Sequence, residues 1–214
     1  MEYMDLIIFD LDGTLIDSRK DIANAVNHTL KEVGLEEKSV SEISSYIGTG
    51  VEDLIRRSLG KRQDSLFKKA LSVFIEYYRE HCLDNTYLYS GVKDVLEYFK
   101  NKRKVIVTNR RYETAILALR KLGVYNYFED VLGGDDLGYL KPSSCLLDEV
   151  IHRLNIEKER TIIVGDMDVD ILAGKRAGIT TCAVTYGIGK KGDILKTKPD
   201  YIIDNILKLK GIIN

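Results

Sequence analysis

The chain has 214 residues, with 32 Lys or Arg against 33 Asp or Glu, so its formal net charge is −1. Proteins that bind nucleic acid or anionic membranes usually carry a basic surface, so this balance argues against both kinds of partner. The hydrophobic content of 44% is enough for a folded core, and no apolar run is long enough for a transmembrane helix. Because the first residues also lack the pattern of a signal peptide, we expect a cytoplasmic protein.

Short runs of β-branched and other apolar residues alternate with helical patterns along most of the chain. Continuous apolar runs are typical of strands that are covered on both faces, as in a parallel sheet. The alternation predicts an α/β fold with a doubly wound, parallel-sheet, Rossmann-like core. The predicted strands are residues 6–9, 105–107, 161–164, 182–185 and 201–203, and the predicted helices are residues 92–100, 112–122, 143–154 and 171–177.

One stretch, residues 18–84, interrupts this alternation, because it contains helical patterns and no convincing strand. Ile22, Val26 and Leu30 follow one another at four-residue steps, which places them on one face of a helix. A helical segment of this length is too long for a simple crossover between two strands. We therefore predict an inserted small α-helical cap. The predicted division is residues 1–16 and 85–214 for the α/β core and residues 17–84 for the cap.

The first predicted strand ends in an acidic turn, Asp10-Leu11-Asp12-Gly13-Thr14. Two carboxylates two residues apart lie on one side of an extended segment, at the strand end where open α/β sheets bind ligands. Placing Asp10 beside Asp12 is unfavourable unless a cation lies between them, so the pair predicts a metal ion. A turn or helix-capping role is the alternative, and the specific D-x-D-G-T pattern after an apolar strand argues against it.

Two weaker signals follow later in the chain. Thr108-Asn109 ends the second predicted strand, where a hydroxyl can donate to a phosphate oxygen, although Thr-Asn at such a place is often only a turn. Pro142 favours the first turn of a helix, so Lys141 is predicted to lie at a helix start. A cation there is unfavourable unless a negative charge is nearby. Taken alone, Lys141 also fits an ordinary surface lysine.

A second acidic pattern, G-D-x-x-x-D, follows the strand predicted at residues 161–164. Its carboxylates, Asp166 and Asp170, lie one helical turn apart and can point to the same side. Acidic residues early in a helix also complement its N-terminus, so simple capping is an equal alternative.

The segment Gly187-Ile-Gly-Lys-Lys-Gly192 matches the dinucleotide-binding pattern G-x-G-x-x-G. A dinucleotide site needs a helix between the two strands that flank it. The residues available before Pro199 are too few for such a helix. We therefore interpret the segment as a loop that leaves the core.

Apart from the segment at residues 187–192, the four patterns described above occur in the same order as the motifs of the haloacid dehalogenase superfamily, which they resemble. The first motif of that superfamily is D-x-D-G-T. The resemblance implies that Asp10 is the nucleophile and carries an aspartyl-phosphate. It also implies that Asp12 is the general acid and base and binds Mg²⁺ through its backbone carbonyl. Phosphatases of the superfamily have Asp at the position of Asp12, whereas its dehalogenases do not, so the resemblance favours a phosphatase.

The same resemblance implies roles for the other motif residues. One set of residues is expected to contact the phosphate group, and a second set is expected to bind Mg²⁺. A further, supporting carboxylate is expected to contact these metal ligands without binding the metal itself. The implied phosphate-binding residues are Thr108, Asn109 and Lys141, the implied metal ligands are Asp10, Asp12 and Asp166, and the supporting carboxylate is Asp170.

The chain also resembles bacterial phosphoglycolate phosphatases over nearly its whole length, including Asp17-Ser18 and residues 21–27 at the start of the cap. Ile47-Gly48-Thr49-Gly50 resembles their cap loop, which implies a role in substrate specificity, although an ordinary helix–helix turn explains it equally well. The implied substrate is a small phosphomonoester, 2-phosphoglycolate. A sugar-phosphate phosphatase or phosphomutase on the same scaffold and a phosphoryl-accepting signalling domain are the alternatives. Monomer and homodimer both stay open.

Overall fold

The computed structural model describes residues 3–60 and 65–214, and strands and helices alternate through most of them. Six of the described strands form one parallel sheet, and two very short strands form a separate antiparallel pair. In chain order the strands are β1 (Leu6–Phe9), β2 (Ile16–Asp17), β3 (Tyr87–Leu88), β4 (Arg103–Val107), β5 (Asp130–Leu132), β6 (Thr161–Gly165), β7 (Thr180–Val184) and β8 (Tyr201–Ile203). The sheet order is β5-β4-β1-β6-β7-β8, and the antiparallel pair joins β2 to β3.

Helices connect these strands and cover the sheet. They are α1 (Arg19–Glu32), α2 (Val40–Ser44), α3 (Val51–Leu59), α4 (Phe67–His81), α5 (Val92–Tyr98), α6 (Tyr112–Lys121), α7 (Cys145–Leu154), α8 (Asp168–Ala177) and α9 (Lys191–Lys196). None of the described helices is both long and apolar enough to cross a membrane. The predicted α/β fold with a parallel, Rossmann-like sheet is confirmed.

The strand β1 is buried along its whole length, because its successive side chains enter two different cores. Ile7 and Phe9 belong to a large apolar cluster on one face of the sheet. Leu6 and Ile8 belong to a second cluster on the other face, which includes apolar residues of α7 and α8. This two-sided burial explains why the strand is a continuous apolar run rather than an alternating one.

The register of the sheet brings the ends of three strands to one level. Phe9, the last residue of β1, lies opposite Ile106 in β4 and Val164 in β6. The residues that follow these strands therefore meet at the carboxyl edge of the sheet. Ligands of open α/β sheets bind at this edge.

Helices α1 to α4 lie between β2 and β3, in the segment that was predicted to be helical. The chain enters and leaves this helical segment at adjacent points, because Ile16 in β2 pairs with Leu88 in β3. A buried carboxylate, Asp21 on α1, strengthens this junction by accepting hydrogen bonds from the backbone N–H groups of Asn85 and Thr86, 2.8–3.0 Å long. The division of the chain into a core and a separate cap at residues 17–84 stays a prediction.

The sequence-based description missed three strands and misplaced the helix start next to Lys141. The edge strand β5 and the pair β2–β3 have only two or three residues each, too few for a readable periodicity. Lys141 does not lie at a helix start, because α7 begins at Cys145. The backbone of Lys141 instead hydrogen-bonds through both its N–H and its C=O to the side chain of Asn109, which holds it in a loop.

Candidate active site

Three buried carboxylates gather at the carboxyl edge of the sheet. Asp10 directly follows β1, Asp166 directly follows β6, and Asp170 lies in the first turn of α8. One carboxylate oxygen from each lies within 4.8 Å of the others. The strand register and the helix start thus bring together residues that are more than 150 positions apart in the chain.

Asp166 is held in place by hydrogen bonds to both of its carboxylate oxygens. The hydroxyl of Thr14 donates to Oδ1 at 3.0 Å, and the backbone N–H groups of Ile188 and Gly189 donate to Oδ2 at 2.7 and 3.1 Å. A Cβ at Gly189 would lie 1.9 Å from the backbone oxygen of Asp166, so this close approach requires glycine. The segment that matches a dinucleotide-binding pattern therefore orients a carboxylate of the site.

Burial and the repulsion between neighbouring carboxylates raise the pKa values of Asp10 and Asp166. Burial, reinforced by the charge of Asp170, raises the pKa of Asp166 to about 7. Burial also raises the pKa of Asp10 well above its ordinary value, against the opposing charge of Lys141. A cluster of carboxylate oxygens that resists carrying its full negative charge fits a hard divalent cation, which prefers oxygen ligands.

Lys141 is the cation that contacts this cluster directly. Its ammonium lies 2.6 Å from Asp10 Oδ1, 2.8 Å from Asp170 Oδ1 and 2.7 Å from the carbonyl oxygen of Val107. Burial by itself would lower the pKa of Lys141, but the charges of Asp10 and Asp170 outweigh burial and raise it. With 1% of its side chain exposed, Lys141 is no ordinary surface lysine.

Asp170 combines the two roles that its position in the sequence suggested. Its Oδ2 accepts a hydrogen bond from the backbone N–H of Met167 at 2.9 Å, which caps the start of α8. Its Oδ1 forms the ion pair with Lys141. Capping and participation in the carboxylate cluster are therefore compatible rather than alternative.

The side chain of Asp12 is not part of the group of three carboxylates found among the described residues. It accepts hydrogen bonds from the Ser18 hydroxyl and, at 2.6 Å, from Arg110 Nη1. The neighbouring Gly13 has a φ of +87°, and a Cβ there would lie 2.2 Å from Asp166 Oδ2. The D-x-D-G turn thus needs glycine to let the carboxylate cluster approach the backbone.

Thr108 and Asn109 directly follow β4, beside Asp10. The Thr108 hydroxyl accepts a bond from the Arg110 backbone N–H at 3.2 Å, which leaves its own O–H to donate. Both N–H bonds of the Asn109 carboxamide are used, for the carbonyl oxygens of Lys141 and Gly48. A phosphate contact by Asn109 is therefore left to its backbone N–H.

The predicted cap loop reaches the cavity above these residues. Ile47, Gly48 and Gly50 line the cavity, which has a volume of about 100 Å³, whereas Thr49 does not. The Thr49 hydroxyl instead donates to Asp53, in the first turn of α3. The Gly48 carbonyl accepts the 2.7 Å bond from Asn109, so the loop is joined directly to the core.

Sequence reasoning missed two residues of this site, Arg110 and Tyr78. Arg110 is buried beside Asp12, and its Nη2 donates to the Tyr78 hydroxyl on α4 at 2.7 Å. A cation directly after the Thr-Asn motif was a usable signal for Arg110. No local pattern distinguishes Tyr78 from the other apolar and aromatic residues of its helix.

Comparisons with known proteins agree with this architecture. A family model described as haloacid dehalogenase-like hydrolase matches residues 7–184. A phosphoglycolate phosphatase of Aquifex aeolicus is 36% identical, over 94% of this chain and 100% of that protein. The crystal structure of a predicted phosphoglycolate phosphatase from Haemophilus somnus is 30% identical, with a TM-score of 0.94 over 99% of each chain. A haloacid dehalogenase-like family protein from Streptococcus pneumoniae is 26% identical, with a TM-score of 0.89 over 98% of each chain.

Proposed function

The chain belongs to the haloacid dehalogenase-like hydrolases, and on that premise we propose that it is a magnesium-dependent phosphatase of 2-phosphoglycolate that acts through an aspartyl-phosphate on Asp10. The contact of Lys141 with Asp10 carries the proposal. A buried cation 2.6 Å from a carboxylate, beside further carboxylates, would stabilise the attack of an anionic carboxylate on an anionic phosphate group. Lys141 offsets the repulsion between Asp10 and an incoming phosphate.

The proposed reaction has two steps. Asp10 attacks phosphorus, the bond to the leaving oxygen breaks, and Asp12 donates a proton to that oxygen. Asp12 then removes a proton from the water that attacks the aspartyl-phosphate, which releases inorganic phosphate and restores Asp10. Thr108 and the Asn109 backbone N–H are the proposed phosphate donors beside Lys141.

The carboxylates of Asp10 and Asp166, with the backbone carbonyl of Asp12, are the proposed ligands of Mg²⁺. Asp170 lies beside them and orients Lys141. The bound cation would neutralise part of the negative charge on the phosphate and the carboxylates. The raised pKa of Asp166 supports this assignment, since the cluster lacks enough positive charge of its own.

A small substrate is favoured over a sugar phosphate. The relatives named above as phosphoglycolate phosphatases align along nearly the whole chain. The residues of the cap loop that line the cavity are Ile47, Gly48 and Gly50, which have no polar side chains suited to a sugar. A signalling domain that stores a phosphoryl group has no need for an acid–base residue such as Asp12 beside the site.

Phosphate release tests this proposal. Wild-type protein with Mg²⁺ is expected to hydrolyse 2-phosphoglycolate faster than sugar phosphates or p-nitrophenyl phosphate, and chelation of the metal is expected to stop it. Asp10→Asn removes the nucleophile, so release should fall by at least about 1000-fold. Asp168→Asn is the matched control, because it makes the same chemical change in a residue outside the carboxylate cluster.

The outcomes separate mechanism from substrate. Selective release that is lost in Asp10→Asn supports both parts of the proposal. Broad, weak release that is lost in the variant supports the mechanism and contradicts the substrate. Release that survives Asp10→Asn contradicts the mechanism.

A further inference from the structure

Arg110 is a buried cation to which the proposed chemistry assigns no task. Its side chain is 4% exposed and lines the cavity. Lys141, the other buried cation among the described lining residues, is fully engaged with Asp10, Asp170 and Val107. Burying a guanidinium is costly unless its charge is matched and its N–H groups are hydrogen-bonded, and Asp12 matches the charge of Arg110.

The guanidinium of Arg110 is held in a fixed orientation from three sides. Nη1 donates to Asp12 at 2.6 Å, Nη2 to the Tyr78 hydroxyl at 2.7 Å, and Nε to the Thr114 hydroxyl at 3.3 Å. Besides these oxygens, the thiol of Cys82 lies next to it, and a thiol is only a weak acceptor. Within residues 3–60 and 65–214, two of the five N–H groups therefore have no oxygen partner, one on each terminal nitrogen.

The contact between Arg110 and Asp12 indicates which anionic group of a substrate Arg110 can bind. Asp12 is the residue proposed to protonate the leaving oxygen, and Arg110 contacts its carboxylate directly. A group attached two bonds from the leaving oxygen would thus lie beside Arg110. The planar fork of a guanidinium matches a carboxylate in geometry and charge.

We propose that Arg110 binds the carboxylate of the leaving group and so selects substrates with an anionic group two bonds from the ester oxygen. This inference rests on the proposed phosphatase activity and adds the residue that recognises the substrate class. Tyr78 and Thr114 orient the guanidinium for this contact. Because Tyr78 belongs to α4 and Arg110 to the loop after β4, recognition uses both the helical insertion and the sheet.

The test compares two esters of equal length, 2-phosphoglycolate with a charged leaving group and 2-hydroxyethyl phosphate with a neutral one. Arg110→Gln is expected to lower kcat/KM for 2-phosphoglycolate relative to the neutral ester by about 100-fold, because a buried charge pair is lost. Arg110→Lys keeps the charge without the fork and should lose part of this selectivity. Glycolate should inhibit wild-type protein and no longer inhibit Arg110→Gln.

Arg111→Gln is the matched control. Arg111 is the next residue and also lines the cavity, but its side chain is 42% exposed and pairs with Asp135. Its substitution should leave the ratio of the two kcat/KM values within about twofold of the wild type, as is usual for exposed pairs. An Arg110→Gln variant that slows both esters equally, with the ratio unchanged, overturns the inference while the phosphatase proposal stands.

Binding keeps the inference testable without turnover. In an Asp10→Asn background, calorimetry should show tighter binding of 2-phosphoglycolate than of 2-hydroxyethyl phosphate, and adding Arg110→Gln should remove the difference. Equal affinities in the presence of Arg110 contradict the inference, whatever the catalytic result. If Arg110→Gln does not fold, Arg110→Lys and Tyr78→Phe replace it, and unchanged discrimination in both contradicts the inference.

Discussion

At the scale of single residues, the site depends on a lysine buried among acids. Lys141 bridges Asp10 and Asp170, and the Asn109 side chain fixes its backbone. The ammonium cannot move without leaving two buried carboxylates without their cation. Lys141 is therefore expected to contribute both to stability and to the reactivity of Asp10.

Replacing Lys141 with Met should lower both quantities. We expect kcat/KM to fall about 100- to 1000-fold, because a preorganised charge next to the phosphate is lost. The free energy of unfolding should fall by about 3–5 kcal/mol, since a buried ion pair is broken from one side. Steady-state kinetics and urea denaturation measure the two effects.

Lys104→Met separates catalysis from the general cost of removing a buried lysine. Lys104 is 3% exposed, and its ammonium donates to the carbonyl oxygens of Phe99 and Lys102, away from the cavity. This variant should lose about 1–2 kcal/mol of stability and keep its kcat/KM. If Lys141→Met were as active as Lys104→Met, that result would contradict the proposal that Lys141 supports the reactivity of Asp10.

At the scale of elements, the contact between the cap loop and the sheet edge depends on a glycine. Gly48 has a φ of +117°, and a Cβ there would lie 2.3 Å from Met167 Sδ. Its carbonyl oxygen accepts the bond from Asn109, which also holds Lys141. The position of the loop is thus linked to the position of Lys141 through the side-chain carboxamide of Asn109.

Gly48→Ala should weaken this contact. The added methyl group must displace Met167 or move the loop off Asn109, so we expect kcat/KM to fall about 10- to 100-fold. Gly34→Ala is the control, because Gly34 has a φ of +77° with no atom within 4 Å of an added Cβ. Both variants carry backbone strain of about 1 kcal/mol, and the control should keep its activity. Equal kinetics in the two variants would show that the loop contact does not matter for catalysis.

At the scale of the whole molecule, a near-neutral chain concentrates negative charge at one site. The net charge is −1, yet three buried acids lie within 4.8 Å of one another. The pKa of Asp166 is about 7 in the folded protein against an ordinary value of 3.8. Between these values the folded state binds more protons than the unfolded chain does, so the free energy of unfolding falls as pH rises.

The melting temperature should depend on the ionisation of Asp166. Without divalent cations, we expect Tm to fall by on the order of 5 °C between about pH 5 and pH 8, as Asp166 is forced to ionise. Saturating Mg²⁺ should raise Tm more at about pH 8 than at about pH 5, because cation binding needs ionised carboxylates. Thermal denaturation with EDTA or Mg²⁺ measures this, and Asp166→Asn should flatten both trends. An equal Mg²⁺ effect at the two pH values would contradict a metal site at this cluster.

The sequence by itself determined the α/β class, the first strand and the positions of the candidate chemical groups. Residues 6–9 form a wholly apolar run because β1 is buried on both faces, and Asp10 and Asp166 follow strands whose ends a parallel sheet aligns. These features are local, or follow from general rules of parallel sheets. Helical patterning between the first two long strands was readable for the same reason.

Only the tertiary structure decided which groups contact one another across the chain. The Arg110–Asp12 pair spans 98 positions, the Asn109–Gly48 bond spans 61, and the bonds from residues 188 and 189 to Asp166 span 22 and 23. No local periodicity encodes such pairs, because they depend on where loops from different strands meet. The tertiary structure therefore distinguished a buried lysine from a surface lysine, and it showed that the loop at residues 187–189 orients Asp166.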